Sequence, residues 1–401
     1  MTSPLIPLPK SIRVLALCQA LYTIAISIQL TLTGLAGLQL ASNKALATLP
    51  FSLIILSAAF SALAAAHWLQ RVGRRKGFLT GAALGAMGGG VAFWAMQQQS
   101  FALLCVAALL SGGFQAFAQY YRLVAADSVQ GANKGRAISL VLTGGVLAAL
   151  LGPWLAKTSQ AWLPTILFGG AYLLASLMGI ATAALIYFAY KPIPMVLAAS
   201  ENSEVARPLA QIIRNPIFIA ALSNNVVAYT IMAGLMTATP LAMQGCGFSI
   251  GDSAGVIQWH MLGMFAPALI AGKLVQRFGA ITLAFTGMAL LLVASLLAQQ
   301  STALMIFYTA LLLLGIGWNF LFVAGSTLLT LSYQPNERSK TQACSEFTTS
   351  FFAAGASLFA APLLQSWGWT KLNTFAPWLL IIPLLATLYF WRSQRRELIS
   401  V

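Results

Sequence analysis

The 401 residues contain twelve methionines and only two histidines. Five of those methionines (Met232, Met236, Met243, Met261 and Met264) fall between positions 232 and 264, together with His260. One block reads Thr230-Ile231-Met232-Ala233-Gly234-Leu235-Met236, and a second reads Gln258-Trp259-His260-Met261-Leu262-Gly263-Met264. Met232 and Met236 are four apart, as are His260 and Met264, so on α-helices each pair shares a face. Three thioethers and an imidazole make a soft, uncharged donor set. It suits Cu(I) and offers nothing to Mg²⁺ or Ca²⁺, which take oxygen ligands. Flexible Met side chains also let a metal go with little reorganisation. Met at helical spacing usually only packs, so the reading rests on the local density and on the histidine.

The elements that must position these residues are membrane helices. Hydrophobic residues make up 59% of the chain and charged residues only 7%, with a mean hydropathy of +0.83. Soluble domains carry about 25% charged residues, so soluble enzymes, disordered chains and disulfide scaffolds are excluded. Transmembrane β-barrels alternate polar and apolar residues. This chain instead has apolar runs of about 20 residues, the length that spans a bilayer as helix. The pattern predicts twelve spans at roughly 12–36, 48–69, 77–97, 101–124, 137–157, 162–190, 214–241, 254–275, 279–298, 301–331, 344–366 and 372–393. No cleavable signal peptide is expected before the first. With the N-terminus inside, the outer segments hold only Lys44, Lys157 and Lys371, and the remaining basic residues gather inside. This bias predicts a multi-pass protein with both termini cytoplasmic. The net charge of +15 is therefore a topology signal against the lipid bilayer, not a nucleic-acid signal. Cys18, Cys105, Cys246 and Cys344 form no CxxC, so no zinc site or disulfide framework is expected.

In this topology the seventh span runs outward and the eighth inward. Met236 and His260 then lie within a few turns of the outer surface, with Met232 and Met264 one turn deeper. A short loop joins the two spans, so the pairs are expected at similar depth.

The polar stretch 191–213 divides the chain into six-helix halves, 1–190 and 214–401. Gln70-Arg71-Val72-Gly73 after the second span repeats as Gln276-Arg277-Phe278-Gly279 after the eighth. Parallel six-helix halves are a transporter architecture. The run Ala66, Trp68, Gln70, Arg71, Gly73, Arg74 and Arg75 resembles the major facilitator signature Gly-x-Leu-x-Asp-Arg-x-Gly-Arg-Lys, with Gln70 in place of its Asp. In the second half Gly272, Leu274, Gln276, Arg277 and Gly279 match, again with Gln for Asp. Gly145 and Gly152-Pro153 resemble the Gly-Pro-ended motif of the fifth span. The resemblance implies an all-α membrane protein of the major facilitator fold, twelve transmembrane helices in two halves, working as a monomer by alternating access.

Met-x-x-x-Met on the seventh span with His-x-x-x-Met on the eighth also resembles the CcoA-type copper importers of that superfamily. The resemblance implies Met232, Met236, His260 and Met264 as ligands for copper, the transported substrate. It implies import across the bacterial inner membrane, and an acceptor in the cytoplasm or membrane that supplies cytochrome oxidase assembly. No organic cofactor is expected. The same group includes riboflavin transporters, so an organic-solute carrier, for riboflavin uptake or drug efflux, is the alternative; the Met232/Met236 pair tips the reading toward copper. Met243, Cys246 and Met261 are accessory metal candidates, the first two as an outer capture point. Arg122, Asp127 and Glu346 are candidates for gating or coupling at the inner ends of spans, and Asp252 is the one outer carboxylate. Asn224, Asn225, Tyr229 and Asn319 are polar enough to line a cavity. Enzymatic motifs are absent: there is no phosphate-binding loop, and no His-Glu metalloprotease or Ser-His-Asp set.

Overall fold

A computed structural model of the chain describes residues 8–129, 133–192 and 206–399. The chain divides into two compact units, Met1–Ala199 and Ser200–Val401. The first holds α1 (Lys10–Leu40), α2 (Leu49–Val72), α3 (Arg74–Gln97), α4 (Phe101–Ala118), α5 (Tyr120–Asp127), α6 (Asn133–Thr158) and α7 (Gly169–Ala189). The second holds α8 (Leu209–Ile212), α9 (Pro216–Gly245), α10 (Ile250–Phe265), α11 (Ala268–Phe278), α12 (Ala280–Gln300), α13 (Leu304–Leu331), α14 (Arg338–Asn373) and α15 (Phe375–Ile399). Among the described residues, eleven segments are long and apolar enough to cross a membrane. The fifth predicted span, 137–157, lies within the 26-residue helix α6. Most of the predicted linker, residues 193–205, lies outside the described residues.

Several predicted boundaries move for local reasons. The fourth span breaks at Gln119 into α4 and α5. The eighth breaks at Pro267, which has no N–H to continue the ladder. The sixth starts at Gly169, not 162, because a 3₁₀ turn (Ser159–Trp162) and Pro164 come first. The seventh continues to Gly245, because no residue before Gly247, at φ +84°, stops it.

The two repeated loops share one backbone shape. Gly73 has φ 84°, ψ 158° and Gly279 has φ 83°, ψ 157°. This region is open essentially to glycine alone. Each glycine ends one helix and starts the next within a single residue, α2 to α3 and α11 to α12. In the first unit, Phe78 and Tyr121 pack edge-on at 4.9 Å within the core below this loop. In the second, α13 packs along α9, α10 and α12, and α9 also packs on α14 and α15.

Candidate functional site

Asn225, Tyr229, Met232 and Met236 recur at i, i+4, i+7 and i+11 and so form one stripe of α9. Leu311, Gly315, Trp318, Phe322 and Gly325 form a matching stripe of α13 by the same periodicity. Contacts fix how the stripes meet. A Cβ on Gly325 would lie 2.3 Å from Asn225 Oδ1, so the glycine is required for this approach. The Tyr229 ring packs edge-on against Trp318 and Phe322, with centroids 5.1 and 5.5 Å apart. Trp318 and Phe322 stack on each other at 5.2 Å. The two helices therefore run antiparallel.

α10 meets the same α13 stripe nearer its start. A Cβ on Gly315 would lie 2.4 Å from the His260 carbonyl oxygen and 2.9 Å from the Met264 nitrogen. Asn319 Nδ2 donates to the Met264 carbonyl at 2.7 Å. His260 Nδ1 lies 2.7 Å from the Leu311 carbonyl. A carbonyl only accepts, so Nδ1 carries the proton and Nε2 of the neutral ring presents a lone pair. The two registers set Met236 level with His260, and Met232 level with Met264, along α13. All four side chains are buried.

Four polar atoms here are buried without a partner: Asn225 Oδ1, His260 Nε2, Trp318 Nε1 and Asn319 Oδ1. Unmet polar atoms are uncommon in folded proteins and call for an explanation. Inside a membrane span they are functional candidates by default. Three are acceptors and the indole N–H is a donor. Asn224, on the neighbouring face of α9, spends its amide on Thr387 Oγ1 at 3.2 Å and serves packing to α15.

The remaining expected residues fall elsewhere. Met243 is fully buried inside α9, while Cys246 caps that helix and is exposed. Met261 is buried beside His260 in sequence but projects about 100° round the helix. Asp252 closes a capping box with Ser249, accepting from its backbone N–H at 3.0 Å and its hydroxyl at 2.6 Å. Asp127 pairs with Arg74 at 3.7 Å and not with Arg122. Among the described residues Arg122 and Glu346 form no ion pair. Gln70, Arg71 and Gln276 are exposed, and Arg277 lies over the Phe278 ring.

Trp318, Phe322 and Glu337 are additions that the sequence pattern does not single out. Glu337 is buried between α13 and α14 and takes the side chain of Arg207 in a two-pronged ion pair, from Nε at 2.8 Å and from the terminal nitrogen at 2.7 Å. The Arg207 backbone N–H adds a third bond at 2.8 Å, and the Lys340 ammonium holds the Arg207 carbonyl. The guanidinium, together with backbone N–H groups, pushes the Glu337 carboxyl down from 4.5 to about 2. Arg207 is 130 positions away in sequence, so no local pattern announces the pair.

The family model described as Major Facilitator Superfamily matches residues 15–318 and 249–399. The riboflavin transporter RfnT of Brucella anthropi is 36% identical over 94% of this chain and 93% of its own length. The uncharacterized MFS-type transporter YddS of Bacillus subtilis is 28% identical over 96% of this chain and 92% of its own. Among solved structures, a bacterial homologue of the human lysosomal transporter Spinster superposes with a TM-score of 0.69 at 15% identity, covering 96% of each chain. The human organic anion transporter MFSD10 superposes with a TM-score of 0.67 at 16% identity, covering 94% of this chain and 99% of its own.

Proposed function

The chain belongs to the major facilitator superfamily and is a multi-pass membrane transporter; from that premise we propose that it carries riboflavin, or a solute of the same flat heteroaromatic class, inward across a bacterial inner membrane. The observation that carries this reading is the mixed polar set around the Tyr229, Trp318 and Phe322 rings. A metal ion uses only acceptors and leaves the Trp318 N–H stranded. A conjugated ring system with both N–H and carbonyl edges meets the donor and the acceptors together, and its face suits the aromatic rings. The 36%-identical riboflavin transporter supports the same class. The gathering of basic residues supports cytoplasmic termini. Rocking of two halves about a midplane site is the mode of transport such repeats support.

Copper import is the second reading. It is favoured by the lone pair of His260 Nε2 and by the common levels of Met236 with His260 and of Met232 with Met264. Parallel uptake of labelled riboflavin and ⁶⁴Cu by cells making the chain separates the two. Saturable riboflavin uptake that copper does not inhibit supports the first. Saturable ⁶⁴Cu uptake without riboflavin uptake supports the second.

A further inference from the structure

α14 and α15 both pack on α9 far more than on each other. A crevice of about 240 Å³ opens between them. Gly234 and Leu235 of α9 form part of its floor, with Ala356, Phe359, Phe375 and Ala376 among its walls. The lining is almost wholly apolar. Its one hydroxyl, on Thr230, is already bonded to the Val226 carbonyl at 2.6 Å and asks for no ligand. Apolar cavities of about 150 Å³ already stay dry and take up small hydrocarbons. This one is larger, and Phe359 and Phe375 on its rim are exposed. α9, α14 and α15 are each long and apolar enough to cross a membrane, so an exposed apolar rim on them suits lipid.

One end of the lining, Leu372, Phe375 and Ala376, reaches the turn between α14 and α15. Lys371 sits there, next to the lining residue Leu372, and is exposed. Among the described residues no carboxylate pairs with it. Lys44, by contrast, spends its ammonium on the Leu38 and Ala41 carbonyls. Trp367 stacks on Phe375 at 4.9 Å beside the same turn, as aromatic rings do at the headgroup level. An apolar slot with an interfacial aromatic edge and a cation at one end is complementary to one kind of molecule, an amphiphile with a hydrocarbon tail and an anionic head. We propose that the crevice binds one acyl chain of a membrane phospholipid whose phosphate pairs with Lys371. The site is separate from the α9–α13–α10 cluster, so the proposal stands independently of which solute is carried.

Native mass spectrometry of the full-length protein in detergent tests it, with dioleoyl phosphatidylglycerol, the matching diacylglycerol and inorganic phosphate as probes. The wild type is expected to retain one phosphatidylglycerol, to hold diacylglycerol more weakly and to ignore phosphate alone. Ala356→Leu fills the slot and is expected to abolish retention, with circular dichroism and a single gel-filtration peak showing the fold intact. Lys371→Gln is an exposed change, expected to lower the preference for phosphatidylglycerol over diacylglycerol about five-fold, the worth of one interfacial cation at about 1 kcal/mol. Wild-type retention by folded Ala356→Leu overturns the proposal. So does an unchanged headgroup preference in Lys371→Gln, which decides the matter by itself if Ala356→Leu does not fold. Displacement of the lipid by riboflavin also overturns it, because the crevice would then be a solute site.

Discussion

The imidazole of His260 is held to α13 through Nδ1, 2.7 Å from the carbonyl oxygen of Leu311. That single bond fixes which ring nitrogen is protonated and turns the other into a buried acceptor. Replacing His260 by Phe keeps an aromatic ring of similar bulk but removes this bond, leaving the Leu311 carbonyl with its helical partner alone. The expected loss of stability is about 0.5–1.5 kcal/mol, read as a lower unfolding temperature in detergent. An unchanged unfolding temperature would show that the bond does not hold the ring. Uptake of either solute is expected to fall in this variant, since both readings use Nε2.

Trp318 separates the two readings. Trp318→Phe retains a six-membered aromatic ring against Tyr229 and Phe322 and removes the five-membered ring that carries the unpaired N–H. If that N–H bonds to the solute, riboflavin uptake falls about tenfold, the worth of one neutral hydrogen bond of about 1.5 kcal/mol. A copper carrier is expected to be indifferent to the change. Initial rates across a range of riboflavin concentrations measure it.

Glu337 gives a pH signature. Its carboxyl is held at about 2, below the ordinary 4.5, chiefly by the Arg207 guanidinium. A carboxyl with a depressed folded pKa contributes stability above about pH 4.5 and loses it as the pH falls toward about 2. Glu337→Gln is therefore expected to unfold at a lower temperature than wild type near neutral pH. The gap should narrow as the pH is lowered through that window. A gap that does not change with pH would mean that the charge is not what anchors Arg207.

Gly73 and Gly279 occupy the same glycine-only backbone region in the two units. Each is free of neighbours that an added Cβ would meet, so an alanine there is strained by its backbone alone. Gly73→Ala and Gly279→Ala are each expected to cost about 1–3 kcal/mol. Thermal unfolding of the two single variants checks this, and similar losses are predicted because φ and ψ agree within about 1°.

Much of this was legible in the residues. Apolar length and basic bias point to membrane helices, and the Gln-Arg-x-Gly repeat points to two related units because a glycine-only turn leaves a mark in sequence. Four-residue spacing correctly anticipates the shared faces of α9 and α10. α9 runs past the predicted end at 241 because nothing in Leu241–Gly245 stops a helix, which places Met243 in the interior and not in a loop. The role of α13 was hidden. Its Gly315, Trp318 and Phe322 act through contacts with helices far away in sequence, and they read locally as ordinary membrane residues. Arg207 with Glu337 was hidden for the same reason. The balance between copper and an organic solute turns on the Trp318 N–H, whose missing partner only the packed structure reveals.

The central claim is that the cluster on α9, α10 and α13 serves a heteroaromatic solute. The most direct test is uptake of labelled riboflavin by cells making the wild type, Met232→Ala/Met236→Ala or Trp318→Ala. The account predicts saturable riboflavin uptake by the wild type, largely kept in the double Met variant and reduced at least tenfold in Trp318→Ala. Absence of riboflavin uptake by the wild type, with saturable ⁶⁴Cu uptake that the double Met variant abolishes, would contradict it.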